Sequence, residues 1–359
     1  MPDYSTSDII GGISTIVEAS YNGLVTASAN IRGIRTRGRG FPVPDQEKTD
    51  DRGTVGNQSE LPTVQRSGFL IPPTMEITDV ISTDLTLLYA RRTLGGADAV
   101  SVVEAGIASE HLVGMLGNYT AAGRQLPSSS IGYIIGGAEY LYGGCVFDSL
   151  RIDATGVTDP TFNSGIVGSG LYKKISTITP ALVVPKPTPQ DYMLGAKSRL
   201  LFNDGTPREL TVAPQRLLSF TFTYGNAHDT GKRRVGDPLL DPLNDNLGWY
   251  VNRMLHGDRL PTAEMQVALD QNMSEFNAAH NNTIITDFKW RAVGSLIGAS
   301  TVNRHTFEVW FDKCYFRSTR GVDANGDAAL NIGIFPVEPN GTFGDTKIRV
   351  VNGITTPVV

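Results

Sequence analysis

Tyr142-Gly143-Gly144-Cys145-Val146-Phe147-Asp148-Ser149-Leu150-Arg151-Ile152 is the stretch on which the reading of this chain turns. Its double glycine supplies a turn, and an extended run carrying Cys, Val, Phe, Leu and Ile follows. β-Branched and aromatic residues of this kind fit a pleated, buried strand. A Gly-rich, β-rich segment continues to Lys174. No reactive cluster lies beside it. The stretch therefore reads as a structural cassette, and it directs attention toward assembly rather than catalysis.

Toward the C-terminus the strand signals multiply. Asn203-Asp204-Gly205, reached through Arg199 to Phe202, is a hairpin turn signal. Leu218 to Gly225 alternates cleanly, with Leu218, Phe220, Phe222 and Tyr224 facing one way and Ser219, Thr221 and Thr223 the other. A second alternation sets Ala263, Met265, Val267 and Leu269 against Glu264, Gln266 and Asp270. Met273, Phe276 and His280 share a face and predict a short helix over Asn272 to His280. Strands are expected again over Ile284 to Val293, Thr306 to Phe316 and Ala329 to Val337. Asp323-Ala324-Asn325-Gly326-Asp327 provides the turn before the last of these.

Toward the N-terminus, Leu85, Leu88 and Arg92 recur at helical spacing, and Gly95-Gly96 stops the run, which predicts a helix within Asp84 to Leu94. Gly106 to Gly123 fits either helix or strand. Pro180, Pro185, Pro187 and Pro189 mark a connector. Three segments lie outside the core pattern: an extended N-terminal arm over residues 1–68, a polar loop insertion over 228–260, and a C-terminal arm over 338–359. The β-domain between the arms spans 69–337.

Composition narrows the function classes. Of 359 residues, 40% are hydrophobic and 19% charged, below the usual charged share of about 25%. Low charge with a globular apolar content suits equally a surface that ends up against other protein and a β-rich fold with a Ser/Thr/Asn surface. The formal net charge of −5 is not that of a protein held to nucleic acid by charge. Two cysteines, Cys145 and Cys314, are too few for a stapled secreted fold and read as small buried apolar side chains. The start, Met1-Pro2-Asp3-Tyr4-Ser5, lacks the basic and apolar regions of a secretory signal. No apolar run reaches the roughly 18 residues of a membrane span, so a soluble chain made in a cytoplasm is expected.

The motifs of catalysis and metal binding do not assemble. The five His residues are scattered, no His/Cys spacing suits zinc, and neither HExxH nor Gly-x-Ser-x-Gly occurs. Gly168-Ser169-Gly170-Leu171-Tyr172-Lys173-Lys174 lacks phosphate-loop spacing. A calcium loop beginning at Asp323 needs Gly at its sixth position and Glu at its twelfth, where this chain has Ala328 and Ile334. The expectation is a non-enzyme with no cofactor and no metal.

Taken in order, the elements resemble the major tail tube protein family of long-tailed bacteriophages. The resemblance rests on the cassette Tyr142 to Leu150, on Leu218 to Tyr224 closing at Gly225-Asn226, and on the strand, helix and strand of Pro261 to Val293. Phe307 to Phe335, with its Asp/Gly turn, and Leu87 to Gly95 complete it. It covers roughly residues 70–337, by order and spacing rather than by a sharp motif. The N-terminal arm and the 228–260 loop are longer than the family pattern.

What the resemblance implies is mainly β: a β-sandwich or open barrel with one short flanking helix and extended N- and C-terminal arms. It implies a virion structural protein whose subunits close into rings, commonly hexameric, and whose rings stack into a hollow tube. Head-to-tail contacts that close give rings, and those that do not give filaments. Its partners would be further copies of itself, a tape measure protein, a tail terminator, and distal tail or baseplate proteins. Double-stranded DNA would pass through the lumen without sequence recognition. The protein would reside in the virion tail after assembly in the host cytoplasm.

Candidate inter-subunit residues are Arg32, Arg35, Arg37 and Arg39 in the arm, and Lys232, Arg233 and Arg234 in the loop. The Arg/Gly run has no interleaved aromatic apart from Phe41, which favours a subunit contact or solvated arm over single-strand binding. Both arms are expected to order only when subunits dock. The competing readings are another β-rich tail ring protein (terminator, distal tail or connector) and a carbohydrate-binding β-sandwich module.

Overall fold

The structure, a computed structural model, describes residues 10–34, 46–51, 64–70, 72–116, 126–135, 138–175, 192–211, 217–228, 257, 259, 261–269, 281, 283–324, 327–337 and 346–358. The chain is mainly β. Its strands are β1 (Ile10–Ser14), β2 (Ile31–Ile34), β3 (Gln46–Asp51), β4 (Val64–Leu70), β5 (Thr74–Val80), β6 (Gly95–Glu104), β7 (Ala108–Met115), β8 (Ser129–Ile135), β9 (Ala138–Thr155) and β10 (Thr161–Val167). There follow β11 (Tyr172–Ile175), β12 (Leu194–Asn203), β13 (Pro207–Thr211), β14 (Leu217–Gly225), β15 (Thr262–Ala268), β16 (Ile284–Leu296), β17 (Arg304–Ala324), β18 (Asp327–Pro336) and β19 (Thr346–Asn352). One α-helix, α1 (Leu85–Leu94), is described. β3 and β4 pair with each other, and the other 17 strands form one antiparallel sheet.

The cassette becomes β9, the 18-residue strand at the centre of the molecule. Its first half pairs with β8 and β11, and its second half with β10 and β14. The change of partners falls at Gly143-Gly144. Gly144 has φ +61°, a left-handed conformation that a side chain resists. The glycines thus make a bend inside one strand rather than a turn before it. Beyond the bend Cys145, Val146, Phe147, Leu150 and Ile152 are fully buried.

From β9 the pairings run through β14, β15, β18, β17, β16 and β12 on one side, and through β10 to β5 on the other. The ladder returns to its start through the bridge Ser82↔Tyr192 and the Met193 amide on the Ile81 carbonyl at 3.1 Å. Side chains from opposite walls fill the interior. Phe220 of β14 stacks across the interior on Trp290 of β16 at 5.1 Å and 7°, and Phe288 stacks on Phe311, its register partner on the neighbouring β17, at 5.6 Å. Each such pair adds about 0.5–1.5 kcal/mol beyond the area it buries.

The hairpin signal at Asn203-Asp204-Gly205 is a β12–β13 turn with Gly205 at φ +108°. The helix forms where periodicity placed it. Asp84 caps its first amide at 2.6 Å, and Gly95, at φ +80°, ends it. Nine of its ten residues are buried, so it is an internal strut between β9 and the strands β6, β7 and β19.

Four expectations change. Residues 346–352, assigned to the C-terminal arm, form β19 between β17 and β7, with Ile348 and Val350 fully buried. In the N-terminal arm, β1 and β2 pair with each other and β1 pairs with β8, and Ile13, Ile31 and Ile34 are buried. Alternating Ile348 and Val350 in β19, and Ile13, Ile31 and Ile34 in β1 and β2, supply buried side chains, so both segments order within one chain without a docked subunit. In β14 a register shift between Leu217 and Ser219 turns Leu217 inward in place of Leu218. Leu269 lies one residue past the end of β15 and is exposed. The ambiguous segment after Gly106 resolves into strand β7. The proline connector and the helix over 272–280 lie outside the described residues.

Candidate functional site

Chemistry-bearing and apolar groups converge at one end of the sheet. The β6–β7 turn, the β16–β17 turn and the segment after β19 meet there, beside the N-terminus of α1. They enclose a cavity of about 490 Å³ lined by Thr83, Asp84, Ile107, Ile297, His305, Asn352 and neighbours. Asn303 joins two of the turns through its side-chain amide on Glu104 at 2.7 Å. Ser300 and Asn303 hold the Glu104 carboxyl below its usual range.

The floor of the cavity is polar and rigid. Thr83 Oγ1 lies 2.9 Å from His305 Nδ1, and Asn352 donates to the Thr83 carbonyl at 3.1 Å. A hydroxyl beside an imidazole is the start of a nucleophile–base pair. Thr83, however, is only 1% exposed, so its hydroxyl is sequestered and ties α1 to β17. The walls are apolar, with Ile107 and Ile297 in one cluster alongside Ala108 and Val351.

Around the mouth, apolar side chains stand in solvent. Val102 is 71% exposed and Val302 75%, and Val103 and Leu296 are exposed as well. Among the described residues β6 pairs with β7 alone, so its outer backbone edge is unpaired. Along Ala97 to Val103 the one ionisable side chain is Asp98, and its carboxylate is fully buried against His111 at 2.8 Å. Glu104 at the end of β6 is tied to Asn303, and the stretch before it, with no exposed charge, is a template for another strand.

The outer face of the sheet is finished differently. Glu308, with its side chain at 0% exposure, sits between Arg291 and Arg349, and Arg349 also pairs with Glu110. This row of alternating charge crosses β16, β17, β19 and β7. Beside it Lys289 and Lys347 flank the Trp310 ring at 4.3 and 4.9 Å, with Asp287 and Asp312 as their partners. Charges on this face are neutralised locally, whereas the β6 edge is bare.

Of the residues expected to meet other subunits, Arg32 is described. It pairs with Asp84, the helix cap that lines the cavity. Its guanidinium is therefore engaged within its own chain, with one third of the side chain exposed. Arg35, Arg37, Arg39, Lys232, Arg233 and Arg234 lie outside the described residues. The exposed valines and the Thr83–His305 pair were missed. Val102-Val103 carries a legible signal, two β-branched residues ahead of a Glu-Ala-Gly turn, whereas Thr83 and His305 are 222 residues apart.

Cys145 and Cys314 are each buried as thiols, and burial, with Glu18 adding to it, pushes the Cys145 thiol well up. Among the described residues no group of three or more His, Cys, Asp or Glu side chains is placed to hold a metal ion. Nor is any described helix long and apolar enough to cross a membrane. No protein-family model matches the chain, and no curated protein matches it.

Proposed function

We propose that this chain is a virion structural protein, the major tail tube subunit of a long-tailed bacteriophage. Hexameric rings of it stack into the hollow conduit through which viral DNA leaves. The observation that carries the reading is the bare outer edge of β6 beside the apolar-rimmed cavity. A second copy offering an extended strand satisfies the unpaired amides and carbonyls of that edge and covers Val102 and Val103. The mainly β chain with its large antiparallel sheet supports the reading, as does the strand β14 closing at Gly225-Asn226. A tail-tube sandwich or barrel with one flanking helix is the finer fold proposed.

In this reading the neutralised outer face stays soluble while the edge and the cavity make directional contacts. Head-to-tail contacts of this kind build rings when they close and tubes when rings stack. The partners are other copies, a tape measure protein, and the terminator and distal tail proteins at the two ends. The place of work is the virion tail. The test is electron microscopy of the purified chain at rising concentration after size-exclusion chromatography. Hollow filaments with a regular axial repeat are expected. Closed rings that never stack would assign the chain to a terminator or connector, and a monomer that binds glycans without self-association would overturn the proposal.

A further inference from the structure

His111 lies within β7 at 0% exposure, and both of its ring nitrogens face acceptors. Nδ1 is 2.8 Å from an Asp98 carboxylate oxygen on β6. Nε2 is 2.9 Å from the main-chain carbonyl of Ile354. A neutral imidazole has one N–H and one bare nitrogen. Neither acceptor has a proton to give back, so the doubly protonated ring alone completes both hydrogen bonds. The same Asp98 oxygen accepts from the Val358 amide at 2.8 Å, and the Val358 side chain packs on the main core. One buried imidazole ring thus joins the β6–β7 hairpin to the segment that follows β19.

We infer that residues 353–358 form a proton-operated latch: protonated His111 bolts the segment across the β6–β7 hairpin, and loss of its proton releases it. Burial opposes the charge on His111, but the bonds to Asp98 and Ile354 outweigh it and hold its pKa above the ordinary value. Once the proton leaves, a ring lone pair faces an oxygen lone pair at a fully buried ring, and a buried hydrogen bond is lost.

The groups packed around His111 are few. From β6 comes Asp98, with Val100 opposite the imidazole in register. From β19 come Val350, opposite on the other side, and the Asn352 side chain, which also bonds His111. From α1, Arg91 feels the Asp98 charge while its own guanidinium bonds the Gly95 carbonyl at 2.9 Å. On β7, Glu110 pairs with Arg349. None of these supplies a second N–H toward Ile354. Because β6 is also the edge proposed to pair with a second copy, the latch regulates assembly if that reading holds. The latch itself stands without it.

Hydrogen exchange on the full-length chain tests it, from about pH 5 to about pH 9 across the histidine range, with intrinsic exchange rates divided out. Protection of the Ile354 and Val358 amides, the two that hold hydrogen bonds in the segment, is expected to fall about tenfold as pH rises through the His111 titration, the effect of one buried hydrogen bond. Amides of β9 should stay protected throughout. In His111→Gln the segment should sit at the released level at every pH. Constant protection across the range would overturn the latch, and so would loss of protection only in step with β9. If His111→Gln fails to fold, the wild-type series with β9 as internal reference still decides. Failure of tubes to form leaves the exchange result standing, so the two proposals fail separately.

Discussion

Glu18 and Gly144 are separated by 126 positions, yet both carboxylate oxygens of Glu18 lie 3.1 Å from the Gly144 amide nitrogen. The same carboxylate accepts from Ser128 at 2.7 Å, Ser130 at 2.8 Å and the Asn22 amide at 3.1 Å. A Cβ on Gly144 would meet Asn22 Oδ1 at 2.1 Å. The bend of β9 is therefore held by a buried anion from the N-terminal segment, packed too closely for any side chain at its apex.

Replacing Glu18→Ala strands these donors. Hydrogen bonds to charged groups are worth about 1.5–3 kcal/mol each, and the two serine hydroxyls can rotate to other acceptors. A net loss of about 3 kcal/mol is expected, read as a lowered urea midpoint at unchanged slope. A variant within about 0.5 kcal/mol of wild type, the scatter typical of surface substitutions, would show that the carboxylate does not hold the bend.

Arg92 is fully buried on α1. Its Nη2 makes a long hydrogen bond to the Thr15 carbonyl at 3.4 Å, and among the described residues Nε and Nη1 meet no acceptor. Burial first, and then the neighbouring Arg91, lower its pKa to about 9. A buried charge so poorly matched costs stability, and apolar replacements of such groups gain about 1–4 kcal/mol. Arg92→Met should raise the thermal midpoint. A lowered midpoint would mean that the guanidinium contributes more than its bonds indicate.

A charge on the bare edge should stop assembly without unfolding the subunit. Val102→Lys places an ammonium where a neighbouring strand would lie, as edge strands do to prevent pairing. The variant should match wild type in circular dichroism and midpoint while forming no filaments at concentrations where wild type does. Normal filaments from this variant would remove β6 from the interface.

Asp148 accepts from the His228 ring at 2.8 Å and from the His228 amide at 2.9 Å through one oxygen. Burial acts to raise its pKa, but these bonds outweigh it and hold it below the usual value. A depressed carboxyl adds stability above its unfolded value of about 4, and that contribution disappears as pH falls through the lower folded value. The stability gap between wild type and Asp148→Asn should narrow as pH drops from about 5 to about 2. A gap that stays constant would mean that the pair does not titrate with folding.

Strands whose apolar residues alternate over a full element were legible in the sequence. Phe220, Phe222 and Tyr224 on β14, and Ala263, Met265 and Val267 on β15, point inward as read. The helix was legible because spacing, cap and stop agreed. The segment after residue 338 was not, because the place of β19 depends on β7 and β17, both lying far away in the chain. The cavity was illegible for the same reason, since each wall comes from a different region. Arg32 was read as outward-reaching, but its partner Asp84 lies 52 positions away, beyond the reach of local pattern.

The bend at Gly143-Gly144 also governs how the molecule carries load. Because β9 passes unbroken from one set of partners to the other, tension that β8 or β11 hands to it across their ladders runs along its covalent backbone before crossing the ladders to β10 and β14. Strands loaded along their length share force over many hydrogen bonds at once, whereas an edge can be peeled one bond at a time. The two portions of the sheet cannot hinge apart at their junction without distorting β9 itself. Under strain the subunit deforms first at margins such as β6, leaving its centre stiff.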